Sequence, residues 1–164
     1  MTTKSACAVV NTSPWIALSL CGQTDLLKKL YENVLIPPAV RQEITVGGKS
    51  QVGVQELEAA SWLRTVEIED PSKVSLLHEL DRGEAEVIIV AQEQRAAEVI
   101  IDEKVARMQA RVLGLEVVGT LGLLLRAKKR GLIHEIAPLI DKMLQEGTYI
   151  HQDIVRGMVH EAGE

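Results

Sequence analysis

Short, continuously apolar runs alternate along this chain with longer segments whose apolar positions recur every three or four residues. The first run, residues 6–10, is Ala-Cys-Ala-Val-Val, and Asn-Thr-Ser-Pro follows it directly. A run this short, ending in β-branched residues before a turn signal, reads as a buried strand. Ser13 as N-cap and Pro14 at the first helical position then open a helix over 14–21. The pattern continues with a helix from about 24 to 32 and a strand at 34–36 stopped by Pro37-Pro38. Pro38 opens the helix carrying Arg41 and Glu43. Residues 45–53, with three glycines and little apolar content, read as a loop. A helix over 55–62, a strand at 65–68 and a helix over 71–80 complete the first half.

The second half repeats the alternation. Asp81-Arg82-Gly83-Glu84 begins a helix reaching about 95, and 98–101 is a strand released at Asp102. A helix to Leu113 stops at Gly114, 115–118 is a strand, and a helix from about Thr120 ends at Gly131. Two amphipathic helices follow, one with Ile136, Leu139, Ile140 and Met143 on a face, the next with Ile154, Val155, Met158, Val159 and Ala162. Strands alternating with helices predict one α/β domain over 1–164, a three-layer α/β/α architecture around a short, mainly parallel, doubly wound sheet. Such sheets bind ligands beyond the carboxyl ends of their strands. That rule selects Asn11, Glu43, Asp102 and Gly119-Thr120.

Composition narrows the picture. Of 164 residues 46% are apolar but only 2% aromatic, with no Phe, so the core is aliphatic, as suits buried parallel strands. The formal charge of −5 means that nucleic-acid binding must rest on a local basic patch or on bound cations. Cys7 and Cys21 are too few for a disulfide framework and are expected to be reduced core residues of a cytoplasmic protein. No apolar run approaches the roughly 18–20 residues of a membrane span, and no signal peptide is read. Gly48-Lys49-Ser50 resembles the end of a phosphate-binding loop, but Glu43 stands where that motif needs Gly, and the motif is rejected.

Each candidate acid has a structural reading beside a chemical one. Asp102 leaves a buried strand where a side chain enters the ligand crevice, yet taken alone it reads more readily as the cap of the next helix, with Glu103 favoured by the helix dipole. Asp81 and Glu84 have the spacing of a capping box. Glu43 alone is an ordinary helix residue. Together, Glu43, Glu84 and Asp102 fall at one end of the sheet, the oxygen-rich setting a hard cation such as Mg²⁺ or Mn²⁺ needs. Arg107 and Arg111 share a helix face and can meet a phosphate or pair with Glu103. Arg126, Lys128, Lys129 and Arg130 suit either a helix C-terminus or an RNA contact. The four histidines show no ligand spacing and are expected at the surface. A phosphoacceptor domain using Thr120 and Lys128 fits the Gly-Glu-Ala-Glu motif poorly.

Val9-Val10-Asn11-Thr12-Ser13-Pro14, Leu35-Ile36-Pro37-Pro38-Ala39-Val40-Arg41-Gln42-Glu43-Ile44, Leu80-Asp81-Arg82-Gly83-Glu84-Ala85-Glu86 and Ile101-Asp102-Glu103-Lys104-Val105-Ala106-Arg107 together resemble the PIN-domain family. Gly119-Thr120-Leu121-Gly122, Ala127-Lys128-Lys129-Arg130-Gly131 and the closing Ala162-Gly163-Glu164 resemble a VapC-like prokaryotic subgroup of it. The resemblance covers nearly the whole chain with its motifs in order. It implies the PIN fold and a Mg²⁺- or Mn²⁺-dependent ribonuclease hydrolysing RNA phosphodiesters, as a toxin with an antitoxin protein for partner. Position by position it implies metal and catalytic roles for Asn11, Glu43, Glu84 and Asp102, with Ser13 supporting the site, and Glu103, Arg107 and Thr120 as further candidates. The family more usually carries Asp where this chain has Asn11; an amide carbonyl can ligate a hard cation but brings no charge. The alternative is a catalytically weak or inactive PIN-like regulatory module. The apolar faces of the two C-terminal helices, about 134–162, predict a homodimer.

Overall fold

The computed structural model describes residues 4–47 and 51–164; the rejected Gly48-Lys49-Ser50 motif lies outside them. The chain begins with strand β1 (Ser5–Val10), helix α1 (Thr12–Leu20), α2 (Asp25–Leu30), β2 (Tyr31–Ile36) and α3 (Pro38–Val46). Then come α4 (Val54–Ala59), β3 (Leu63–Thr65), a 3-10 segment (Pro71–Leu77), α5 (Arg82–Glu93), β4 (Glu98–Ile100) and α6 (Lys104–Val112). β5 (Val117–Val118), α7 (Thr120–Lys129), α8 (Ala137–Gln145) and α9 (Gln152–Glu161) complete it.

All strand pairings are parallel, in the order β3-β2-β1-β4-β5. Helices cover both sides of the sheet, the three-layer arrangement expected from the alternation. The central strands are buried from both faces: Ala8, Val9 and Val10 of β1 and Val99 and Ile100 of β4 expose nothing. That is why they read as unbroken apolar runs rather than alternating ones. Each fully buried Leu, Ile or Val contributes about 1.5–3 kcal/mol. With no Phe to fill space, Trp15 and Tyr31 are the largest side chains of the core.

Local departures from the sequence reading have tertiary causes. The helix expected to reach about residue 32 ends at Leu30, because Tyr31 pairs with Ser5 and buries its ring. β3 lies at Leu63–Thr65 rather than 65–68, where its register against Val34, Leu35 and Ile36 of β2 holds it. Residues 71–77 form a 3-10 segment instead of an α-helix, and none of them is buried, so no packing sustains a longer helix. The first helix starts at Thr12 with Asn11 as N-cap, displacing Ser13 from that role.

Both cysteines are free and half-buried; burial pushes the Cys21 thiol up to about 11. Ile136, Ile140 and Met143 are wholly buried, and Val155, Met158, Val159 and Ala162 pack partly buried against the same core. Leu144, Tyr149 and Ile154 remain exposed in that region. No helix among the described residues is long and apolar enough to cross a membrane.

Candidate active site

The chain builds β1, β2 and β3 to one side and then crosses to the other side of β1 for β4 and β5. This switch places the carboxyl ends of β1 and β4 side by side, the position at which a doubly wound sheet opens a crevice. Asn11 follows β1 and Asp102 follows β4, flanking the switch. Asn11 is buried; its backbone N–H donates to the Ile100 carbonyl at 3.1 Å, and its side chain makes no capping bond to α1.

Asp102 is exposed, and both its oxygens accept from Thr120: Oδ1 from the backbone N–H at 2.7 Å and Oδ2 from the hydroxyl at 2.6 Å. Asp102 thus serves the N-terminus of α7, the distant helix, rather than α6, the next one. The N-cap of α6 is Glu103, whose exposed side chain makes no capping bond.

Glu43, also exposed, accepts from the Thr12 hydroxyl at 2.6 Å. A Cβ on Gly83 would stand 2.9 Å from Glu43 Oε2 and 3.5 Å from Asp81 Oδ1, so a side chain there would have to push the Glu43 carboxylate aside. A shallow cavity lined by Glu43, Asp81, Arg82 and Gly83 opens there. Glu84 and Asp81 form the expected capping box: the Glu84 N–H donates to Asp81 Oδ1 at 2.8 Å, and the Asp81 N–H to Glu84 Oε1 at 3.1 Å. Glu84 is buried. Burial raises its pKa, and the charges of Asp81 and Glu103 add to the rise against the opposing Asp81 N–H.

Besides Arg82, a second cation stands among these acids. Arg107 Nη1 donates to the Ile101 carbonyl at 2.7 Å. A Cβ on Gly119 would lie 2.8 Å from that nitrogen and 2.9 Å from Asp102 Oδ1, so the guanidinium and the carboxylate crowd the same glycine. Burial lowers the Arg107 pKa, as does Arg111, while Asp102 pulls it back.

Three sequence-selected acids and Asn11 therefore sit at one end of the sheet, each acid holding its own hydrogen-bond partner. Thr12 and Asp81 join them. Neither stood out as a site residue in the sequence, because the signal for Thr12 is a contact 31 residues away and Asp81 reads as a cap. Ser13 is exposed, and the hydroxyl bonded to an acid is that of Thr12. The donor types suit a hard dication. Among the described residues, however, no three acidic, His or Cys side chains converge so as to share an ion. All four histidines are exposed.

Fold and site together define a doubly wound domain with acidic residues at its switch point. The chain matches the family described as DUF3368, PIN domain, over residues 7–164, and it belongs to that family. PIN domains are generally nucleases that use divalent metals and bind nucleic acids. Among solved structures it is similar to a PilT N-terminus domain protein, SSO1118, from the hyperthermophilic archaeon Sulfolobus solfataricus P2. The TM-score is 0.51 at 23% identity, covering 72% of this chain and 90% of that one, a likeness of fold. No curated protein matches the chain significantly.

Proposed function

We propose that this protein is a Mg²⁺- or Mn²⁺-dependent ribonuclease of the VapC-like PIN type, acting in the cytoplasm as the toxin of a toxin–antitoxin pair. The observation that carries the reading is the gathering of Asn11, Glu43, Glu84 and Asp102 at the carboxyl end of the sheet, beside the switch between β1 and β4. These are the residues that would hold the ion, which when bound supplies a Lewis acid for phosphodiester hydrolysis. Thr12 and Thr120 orient Glu43 and Asp102 through their hydroxyls. Glu84, with its raised pKa, holds a proton to higher pH than an ordinary carboxylate, and a dication beside it would favour the ionised form. Exposed Glu43 and Asp102 leave the edge open to a polymer. A homodimer through the C-terminal helices and a small antitoxin protein are the partners in this reading.

A second reading, a catalytically weak PIN-like binding module, is favoured by the neutral Asn11 and by the separation of the acids into individual hydrogen-bonded pairs. Cleavage of labelled single-stranded RNA with Mn²⁺, comparing the native chain with Asp102→Ala, decides between them. The first reading expects cutting that chelator abolishes and the substitution removes. Absence of cutting, or cutting that Asp102→Ala leaves intact, moves the assignment to the second.

A further inference from the structure

We propose that Arg107 and Arg111 on α6 form a phosphate subsite that grips the RNA backbone beside Asp102. The inference rests on the RNA-binding part of the reading above and adds the residues that would hold the strand.

The charge of the chain makes the question pointed. With a formal charge of −5, binding RNA requires a local cationic patch or bound cations, and without metal only the patch remains. Most basic residues near the end of α7 are already engaged. Arg126 is paired with Glu98, Lys128 with Glu164 at 2.9 Å, and Lys129 with Glu161 at 3.7 Å. On α3 and α5, Arg41 donates to the Thr65 hydroxyl and Arg82 pairs with Glu86. Lys4, Lys28 and Lys29 line a cavity with Trp62, but Lys4 and Tyr31 place it at the amino end of the sheet, opposite the acids, and Glu32 shares it.

Arg107 and Arg111 differ from the paired residues, and unlike Lys4 and Lys29, which are also unpaired among the described residues, they lie on the helix that follows Asp102. Among the described residues neither arginine has a carboxylate within ion-pair distance, so the alternative pairing with Glu103 is not made. Arg107 is half-buried, and its Nη1 is pinned on the Ile101 carbonyl. That bond fixes the guanidinium at the strand end where Asp102 emerges and spends one of its five N–H donors. The remainder form a planar fork suited to two phosphate oxygens. Arg111 lies one turn further along the same face and is exposed. Two like charges set four residues apart, one of them partly desolvated, repel each other until an anion stands between them. Gly119 completes the arrangement, since a side chain there would crowd both the guanidinium and Asp102 and force at least one of them to move.

The test is fluorescence anisotropy of a labelled single-stranded RNA on the full chain in EDTA, where the subsite acts without metal or turnover. Arg111→Gln, an exposed position with no bond to lose, should weaken binding about 10-fold or more, as expected for one charged hydrogen-bonding contact. It should also reduce the slope of log affinity against log salt by about 0.7, one phosphate contact on a single strand. Arg107→Gln should do the same, and Arg107→Lys should restore the salt slope but not the full affinity. Lys29→Gln, at the opposite end, should leave both quantities unchanged. Unchanged affinity and slope in Arg111→Gln overturn the subsite. RNA binding that depends on these arginines without any Mn²⁺-dependent cleavage upholds it and sinks the nuclease reading alone. A native chain that binds no RNA in EDTA overturns the subsite and leaves the nuclease reading to the Mn²⁺ cleavage assay.

Discussion

The two ends of the parallel sheet handle charge in opposite ways. At the amino end, Glu98 of β4 accepts from Tyr31 of β2 and pairs with Arg126 of α7, and Arg126 Nη1 also donates to the Tyr31 hydroxyl at 3.1 Å. At the carboxyl end, Glu43, Glu84 and Asp102 accept from hydroxyls and backbone amides, and none of them has an ion pair among the described residues. Arg107 crowds Asp102 across Gly119 without closing a pair. Both ends are polar and both tie elements together. A closed pair has no further use for an outside ion, whereas hydrogen-bonded acids beside unpaired arginines keep net charges for a ligand to meet. The amino end holds the fold, and the carboxyl end holds the unbalanced charge on which function depends.

The largest expected effect comes from opening the closed end. Glu98→Ala should cost about 2–4 kcal/mol, somewhat below the full value for a wholly buried pair because Arg126 retains partial solvent contact. It strands a guanidinium and leaves the buried Tyr31 hydroxyl with Arg126 as its remaining partner. Urea unfolding measures the loss, and RNA affinity should not change. A cost below about 0.5 kcal/mol, the usual range for surface substitutions, would mean the two ends do not differ as described.

Gly119→Ala tests the carboxyl end in the same currency. The backbone φ of −99° suits alanine, so any penalty comes from the side chain itself. A methyl 2.8 Å from Arg107 Nη1 and 2.9 Å from Asp102 Oδ1 must push one or both aside, at about 1–3 kcal/mol for an overpacked site. RNA binding should fall with it, the reverse of the partition expected for Glu98→Ala. Stability loss with intact binding would show that Arg107 does not hold the strand. Thr12→Val should cost less, about 1 kcal/mol for one hydrogen bond to an acid that stays solvated. Its effect on cleavage should exceed its effect on the unfolding midpoint.

What the sequence made legible divides along the same line. The strand–helix alternation, the switch-point position of Asp102 and the Asp81–Glu84 box follow from local signals: run length, caps and punctuation. What it hid are contacts set by register between distant elements. Tyr31 reads as the end of an amphipathic helix, and only its pairing with Ser5 makes it a strand residue carrying a buried hydroxyl to Glu98, 67 residues away. Asp102 offers itself to α6 as well as to a ligand, and nothing local announces Thr120 as its partner. The acids could be named because their positions follow from topology. The hydroxyls that hold them could not, since Thr12 and Ser13 are neighbours in sequence and differ only in which way α1 turns them.

The smallest effect concerns the last residue of the chain and extends the contrast along α7. The Glu164 side chain accepts from the backbone N–H groups of Ile136 and Ala137 at 2.7 and 2.9 Å and pairs with Lys128. Burial opposes its ionisation, but those donors outweigh burial and hold the carboxyl at about 2, below the ordinary 4.5. A depressed folded-state pKa contributes stability that is fully present above 4.5 and fades as the pH falls toward about 2. Glu164→Gln removes the charge and, because Ile136 and Ala137 donate to different oxygens, keeps an acceptor for only one of the two N–H groups. Thermal unfolding of the two proteins should show a modest gap at neutral pH that closes on acidification through that window. A gap that persists unchanged at the acid end would place its origin in packing of α9, and the amino end would then owe its closure to Glu98 and Arg126 alone.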